Sequence, residues 1–104
     1  MDPALRDMLG ETITQRVYVS QDLAGAPTYG APFTRPGRME WKPQRIPMGT
    51  GEERVSRAKI FLEPTPSISV HDRLTLPDGT SPPLLLIYPA HDEASVLDHY
   101  EVYI

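Results

Sequence analysis

The segment His99-Tyr100-Glu101-Val102-Tyr103-Ile104 alternates strictly. Tyr100, Val102 and Ile104 fall on one face of an extended chain, and His99, Glu101 and Tyr103 on the other. A strand with so apolar a face has to be paired within a sheet, because alone it would expose Tyr, Val and Ile along an open edge. The C-terminal segment is therefore expected to be structural, and the fold to be built around β-pairing. Val55-Ser56-Arg57-Ala58-Lys59-Ile60-Phe61-Leu62 forms a second such block, and Ser69-Val70-His71-Asp72-Arg73-Leu74 follows it.

Turn residues divide the rest into short pieces. The 104 residues include 12 prolines, which favour short strands, irregular loops and edges. Strands are expected over 12–20, 38–42, 54–62, 72–76, 84–88 and 99–104. The strand at 84–88 is apolar on both faces and reads as central and covered. Residues 21–36 read as a loop with Gly25, Pro27, Gly30, Pro32 and Pro36. Residues 43–53, with Pro43, Pro47, Gly49 and Gly51, are expected to lack regular structure. Pro77-Asp78-Gly79 is a strong turn signal. At the start, Asp2 can cap a short helix that Pro3 opens and Gly10 closes, with Leu5, Met8 and Leu9 as its apolar stripe. This gives one mainly β domain over residues 1–104, a small antiparallel barrel or sandwich of about six strands with a short helix at 1–10. Its expected core includes Ile13, Val17, Trp41, Ile60, Leu62, Leu86, Tyr100 and Val102.

Several function classes find no support. No apolar run approaches the length of a bilayer span, and no basic stretch followed by an apolar one marks a secretory signal. With no cysteine there is no disulfide or thiolate metal site. No Gly-rich phosphate loop or nucleophile signature occurs. His71, His91 and His99 each adjoin an aspartate and could be imagined around a metal. Neighbours on a strand point to opposite faces, however, and no His-x-His or His-x-x-x-His pair occurs, so the pattern argues against a metal-dependent enzyme. No cofactor is expected.

The formal net charge of −4 conceals a segregation. Arg35, Arg38, Lys42, Arg45, Arg54, Arg57 and Lys59 lie close together against Glu40, Glu52 and Glu53. From residue 60 onward Arg73 alone faces Glu63, Asp72, Asp78, Asp92, Glu93, Asp98 and Glu101. A two-signed surface suits head-to-tail stacking of neighbours. The basic segment, with Tyr18, Tyr29, Phe33 and Trp41 as stacking candidates, also fits a single-stranded nucleic-acid binder of OB type, although the acidic total speaks against that.

The order of these elements resembles the head-to-tail stopper, or head-completion, proteins of long-tailed phages. The resemblance runs from Thr12 to Ile104. It takes in the first strand, the Tyr29-Gly30 loop, Arg38-Met39-Glu40-Trp41, the long irregular segment, the 55–62 block, Val70-His71-Asp72-Arg73-Leu74 and the closing His99–Ile104 strand. It implies a small antiparallel β-barrel with a long loop, residues 43–54, projecting between strands two and three, and no catalytic residues. It also implies a virion protein assembled in the host cytoplasm into a ring, usually twelve-fold, at the head–tail interface. There it would sit beneath the portal-side adaptor, around packaged double-stranded DNA, and offer a docking surface to a tail terminator or tail tube. No membrane is involved. Arg45, Ile46, Pro47, Met48, Gly49, Thr50, Gly51, Glu52 and Glu53 would form the channel-facing loop that gates the DNA. Lys42, Arg45, Arg54 and Arg57 would be placed to touch DNA or a partner. A tail terminator or another neck ring protein is the nearest alternative.

Overall fold

A computed structural model describes all residues 1–104 as mainly β, with one short helix, α1 (Pro3–Asp7). The strands are β1 (Glu11–Arg16), β2 (Tyr18–Gln21), β3 (Pro27–Tyr29), β4 (Phe33–Glu40), β5 (Gln44–Pro47), β6 (Glu53–Ser56), β7 (Lys59–Leu62), β8 (Arg73–Thr75), β9 (Leu86–His91) and β10 (Leu97–Tyr103). Six of them form one antiparallel sheet in the order β8-β1-β4-β7-β10-β9, curled into a half-barrel. Two hairpins, β2–β3 and β5–β6, are separate two-stranded ribbons. No helix is long and apolar enough to cross a membrane.

The alternation at 99–104 has the expected consequence. Strand β10 lies inside the sheet, pairing with β7 through Val102↔Ile60 and with β9 through Val102↔Ile87. Met39 continues this row on β4, opposite Ile60. Met39, Ile60 and Val102 join Ile13, Leu62, Leu74, Leu76, Ala58 and Ile104 in the buried cluster. Tyr100 and Ile87 pack against it, partly buried. Stacking β-branched and Leu side chains in rows across strands removes their apolar area from water, which is the main driving force of such a fold.

Several expectations are corrected. The strand expected at 12–20 divides at Val17, where the chain leaves the main sheet for the β2–β3 ribbon, so Val17 is exposed. Trp41 is 60% exposed rather than buried, because the β4–β7 ladder ends at Glu40↔Lys59 and no strand covers the position beyond it. The apolar 84–88 segment is not central. It enters β9, an edge strand, where Ile87 faces the core and Leu86 and Tyr88 are exposed. Residues 21–36 are not one loop, since β3 and the start of β4 lie within them. Pro36 sits inside β4, but β7 pairs only from Gly37 onward, so at Pro36 the strand has one neighbour rather than two.

The same turn recurs at Asp22–Ala26, Met48–Glu52, Leu76–Thr80 and Asp92–Val96. In each, the first N–H donates to the fifth carbonyl and the fourth N–H to the first carbonyl. The fourth residue has a positive φ and is Gly25, Gly51, Gly79 or Ser95. The Asp22 and Asp92 carboxylates add bonds from the N–H groups two and four residues on, which pre-orders their loops.

Candidate functional site

The segment expected to be irregular is an ordered ribbon. Arg45 pairs opposite Val55, Ile46 opposite Arg54 and Pro47 opposite Glu53, and Gly49-Thr50-Gly51 forms the tip. The two glycines and the positive φ of Gly51 make the turn possible, Pro47 is accommodated because neither strand has a second neighbour, and Pro43 lies just before β5. Ile46 is buried, whereas Arg45, Pro47, Gly49, Thr50, Gly51, Glu52 and Glu53 are exposed and Met48 is half-buried.

The base of the ribbon is held by the C-terminal residue. Buried Ser56 donates from Oγ to Ala58 O (2.9 Å) and Ile104 O (3.0 Å). Arg57 N donates to the same Ile104 oxygen at 2.7 Å, and Ile104 N to Ala58 O at 3.1 Å. The ribbon thus joins the sheet where β6 passes into β7, clamped by the Ser56 hydroxyl together with main-chain bonds.

Lys42, Arg45, Arg54 and Arg57 are all exposed. They do not form one basic face. Arg45 shares a face with Val55, while Arg54 shares the opposite face with Ile46. Arg45 Nη1 also lies 3.6 Å from Glu53 Oε2, with both side chains largely in solvent, so the pair adds little to stability. The basic segment shrinks further because Arg35 is internal and Lys59 is paired with Glu101.

Two polar clusters escaped the sequence reading. The first is buried. Arg35 Nη1 donates to Gln15 Oε1 (2.8 Å), and Gln15 Nε2 to Asp72 Oδ2 (3.0 Å). Arg35 Nη2 also donates to Glu63 O (2.7 Å), and Asp72 accepts from Tyr18 N and Ser69 N. Gln15, Arg35 and Asp72 are 0%, 5% and 8% exposed. The amide relays between a cation and an anion that do not touch. Burial holds the Arg35 guanidinium below its ordinary pKa, and its Nε has no protein acceptor.

The second cluster lies on the other face of the sheet. His99 Nδ1 is 2.7 Å from Asp98 Oδ2 and Nε2 is 3.0 Å from Glu101 Oε2, while Lys59 Nζ is 3.2 Å from Glu101 Oε1. Asp2 N donates to Asp98 Oδ1 (2.9 Å), tying the start of the chain to β10. The hydrogen bond from His99 holds Asp98 below the ordinary carboxylate range. Burial pushes Glu101 up, but bonds from His99 and Lys59 outweigh it and leave Glu101 lowered. His71 and His91 stand elsewhere, and no group of three or more His, Asp or Glu side chains is arranged to hold a metal ion.

A cleft of about 830 Å³ opens beside the β1–β8 edge, lined by Arg16, Thr28, Tyr29, His71, Arg73 and Ser81 among others. Two of these lining side chains, Arg16 and Arg73, are cationic, and Asp72 borders the same cleft. Comparison of the chain with protein-family models, curated proteins and solved structures gives no match.

Proposed function

We propose that the chain is a non-enzymatic structural subunit of a phage head–tail connector, a stopper-type ring protein that closes the DNA-filled head and receives the tail. The observation that carries this reading is the β5–β6 ribbon. It is inserted between two adjacent strands of a curled antiparallel sheet, outside the ladder, and anchored at its base by Ser56 and Ile104. A small sheet domain holding a firm, polar-tipped ribbon suits a ring in which each subunit extends an element toward the axis. Exposed Arg45, Arg54 and Lys42 could meet DNA phosphates there without reading sequence. The ring would assemble in the host cytoplasm, with a portal-side adaptor above and a tail terminator or tube below.

Particles assembled without this chain are expected to package DNA, then lose it, and to remain tailless. Particles that keep both DNA and tails in its absence would sink the reading.

One observation favours a second reading. Trp41 is exposed beside Lys42, the arrangement of a base-stacking platform, and so fits an OB-like single-stranded nucleic-acid module. Tight, salt-dependent binding of a fluorescent oligonucleotide that disappears in Trp41→Ala would favour it over the connector.

A further inference from the structure

Arg16 and Arg73 are direct cross-strand partners in the β1–β8 pair, and both line the 830 Å³ cleft. Like charges placed opposite each other weaken a sheet unless something neutralises them. Neither arginine takes part in any of the chain's ion pairs. Arg16 is already aimed: its Nε donates to Gly30 O (2.9 Å) and its guanidinium carbon sits 5.8 Å from the Tyr29 ring centre, with no chain partner for its Nη groups. Asp72 lines the same cleft, but its carboxylate is buried and engaged by Gln15, Tyr18 and Ser69. One oriented guanidinium and a second, exposed one opposite it, both without a counter-ion, form a site for carboxylate oxygens.

The opposite edge of the same sheet carries the matching charge. The turn from β9 to β10 presents Asp92 and Glu93 in a shallow depression it shares with Asp2 and Asp98. Asp92 uses only Oδ1 in its turn, and Glu93 makes no bond within the chain. We propose that the Arg16–Arg73 cleft of one copy receives the Asp92–Glu93 turn of the next. The contact is heterologous, joining different patches on the two subunits, and such contacts close into rings when the rotation permits. The inference rests on the connector reading, for which it names the subunit-to-subunit surface.

Arg73 and Glu93 are both exposed, so exchanging their charges should leave the fold intact, which thermal melting checks. Sedimentation equilibrium of the full chain at low ionic strength, up to millimolar protein, is expected to show self-association. Arg73→Glu and Glu93→Arg should each weaken it by about tenfold or more, since each sets like charges against each other. An equimolar mixture of the two variants restores every contact to opposite charges and should associate as the wild type does. The inference is overturned if the wild type stays single, if either variant associates as the wild type does, or if the mixture is no better than its components. It is also overturned if Arg73→Glu releases an oligonucleotide while leaving self-association unchanged, because the cleft would then have a different occupant. None of these results bears on whether particles lacking the chain leak DNA, so the two readings fail separately.

Discussion

Gly37 lies against Ile13 at the centre of the sheet: a β-carbon on Gly37 would come within 2.7 Å of Ile13 Cγ1, and within 3.2 Å of Leu62 Cδ2. Both neighbours are fully buried branched side chains, and Phe61 O closes the third side at 3.3 Å. The glycine is there for space, not for an unusual backbone. Gly37→Ala is therefore expected to destabilise by about 1–3 kcal/mol through overpacking. Urea denaturation of the two chains measures the loss, and a Gly37→Ala chain as stable as the wild type would refute the packing.

The Arg35–Gln15–Asp72 relay predicts non-additivity. Gln15→Leu leaves a buried guanidinium and a buried carboxylate each short of a partner, at a cost of about 2–4 kcal/mol. Arg35→Met removes the buried cation itself. The double variant should be more stable than the sum of the single losses implies, by about 1 kcal/mol or more. A double-mutant cycle read by denaturation gives the coupling, and strict additivity would dissolve the relay.

How much of this was legible in the sequence depends on whether alternation coincided with pairing. Ile13, Ile60, Leu62 and Val102 lie in full ladders, so their alternation located the core. Trp41 keeps the parity of Met39 but lies beyond the last paired residue, and parity without a neighbouring strand buries nothing. Residues 84–88 are apolar at every position, so the pattern carried no information about which face is covered or whether the strand is at an edge. Arg35 was hidden because Pro32 and Pro36 marked its surroundings as loop. The Arg16–Arg73 cleft joins residues 57 positions apart in a register that no local pattern encodes. The ribbon at 44–56 was disguised by its own turn residues, since proline and glycine signal irregularity yet also build a tight hairpin with free outer edges.

Glu101 gives the fold a defined acid sensitivity. Its folded pKa lies below the ordinary 4.5, so the unfolded chain takes up the proton first. The stabilisation is complete above that value and is lost as pH falls from about 4.5 through the folded pKa. Asp98 behaves in the same way from its ordinary 3.8. Lys59 is the other half of the pair: burial lowers it, but the hydrogen bond and charge of Glu101 raise it overall, so its share is lost only as pH climbs past 10.5. Glu101→Gln should be less stable than the wild type by about 1 kcal/mol at pH 7. The gap should close at acid pH. Denaturation midpoints at pH 7, 5 and 3 test this, and a gap that persists unchanged at pH 3 would contradict it.

Ser95 occupies the turn position that Gly25, Gly51 and Gly79 fill elsewhere, with φ of 62°. A side chain in this left-handed region carries a cost that glycine avoids. Ser95→Gly is expected to stabilise by about 0.5 kcal/mol, after allowance for the greater freedom of unfolded glycine. Gly51→Ala, the converse change in an equally exposed turn, should destabilise by a similar amount or more. Opposite shifts in melting temperature are the expected result, and shifts of the same sign would count against a shared turn geometry.

The ribbon separates what holds the fold from what we assign to function. Ile46 is buried at its centre, so Ile46→Ala should cost about 2–4 kcal/mol and is a poor probe of gating. Removing the whole segment from residue 46 to 53 would lose that side chain too. Replacing Pro47–Glu53 by Asn-Gly instead keeps the Ile46↔Arg54 pair, keeps Ile46 in place and closes the strands with a favoured two-residue turn. The shortened chain should stay within about 1 kcal/mol of the wild type, since the tip residues removed are mostly exposed. If the tip narrows a DNA channel, particles carrying this folded, shortened chain should attach tails yet lose packaged DNA on storage. DNA content per tailed particle is the measurement. Full retention with the tip removed and the chain stably folded would mean that the ribbon is not the gate.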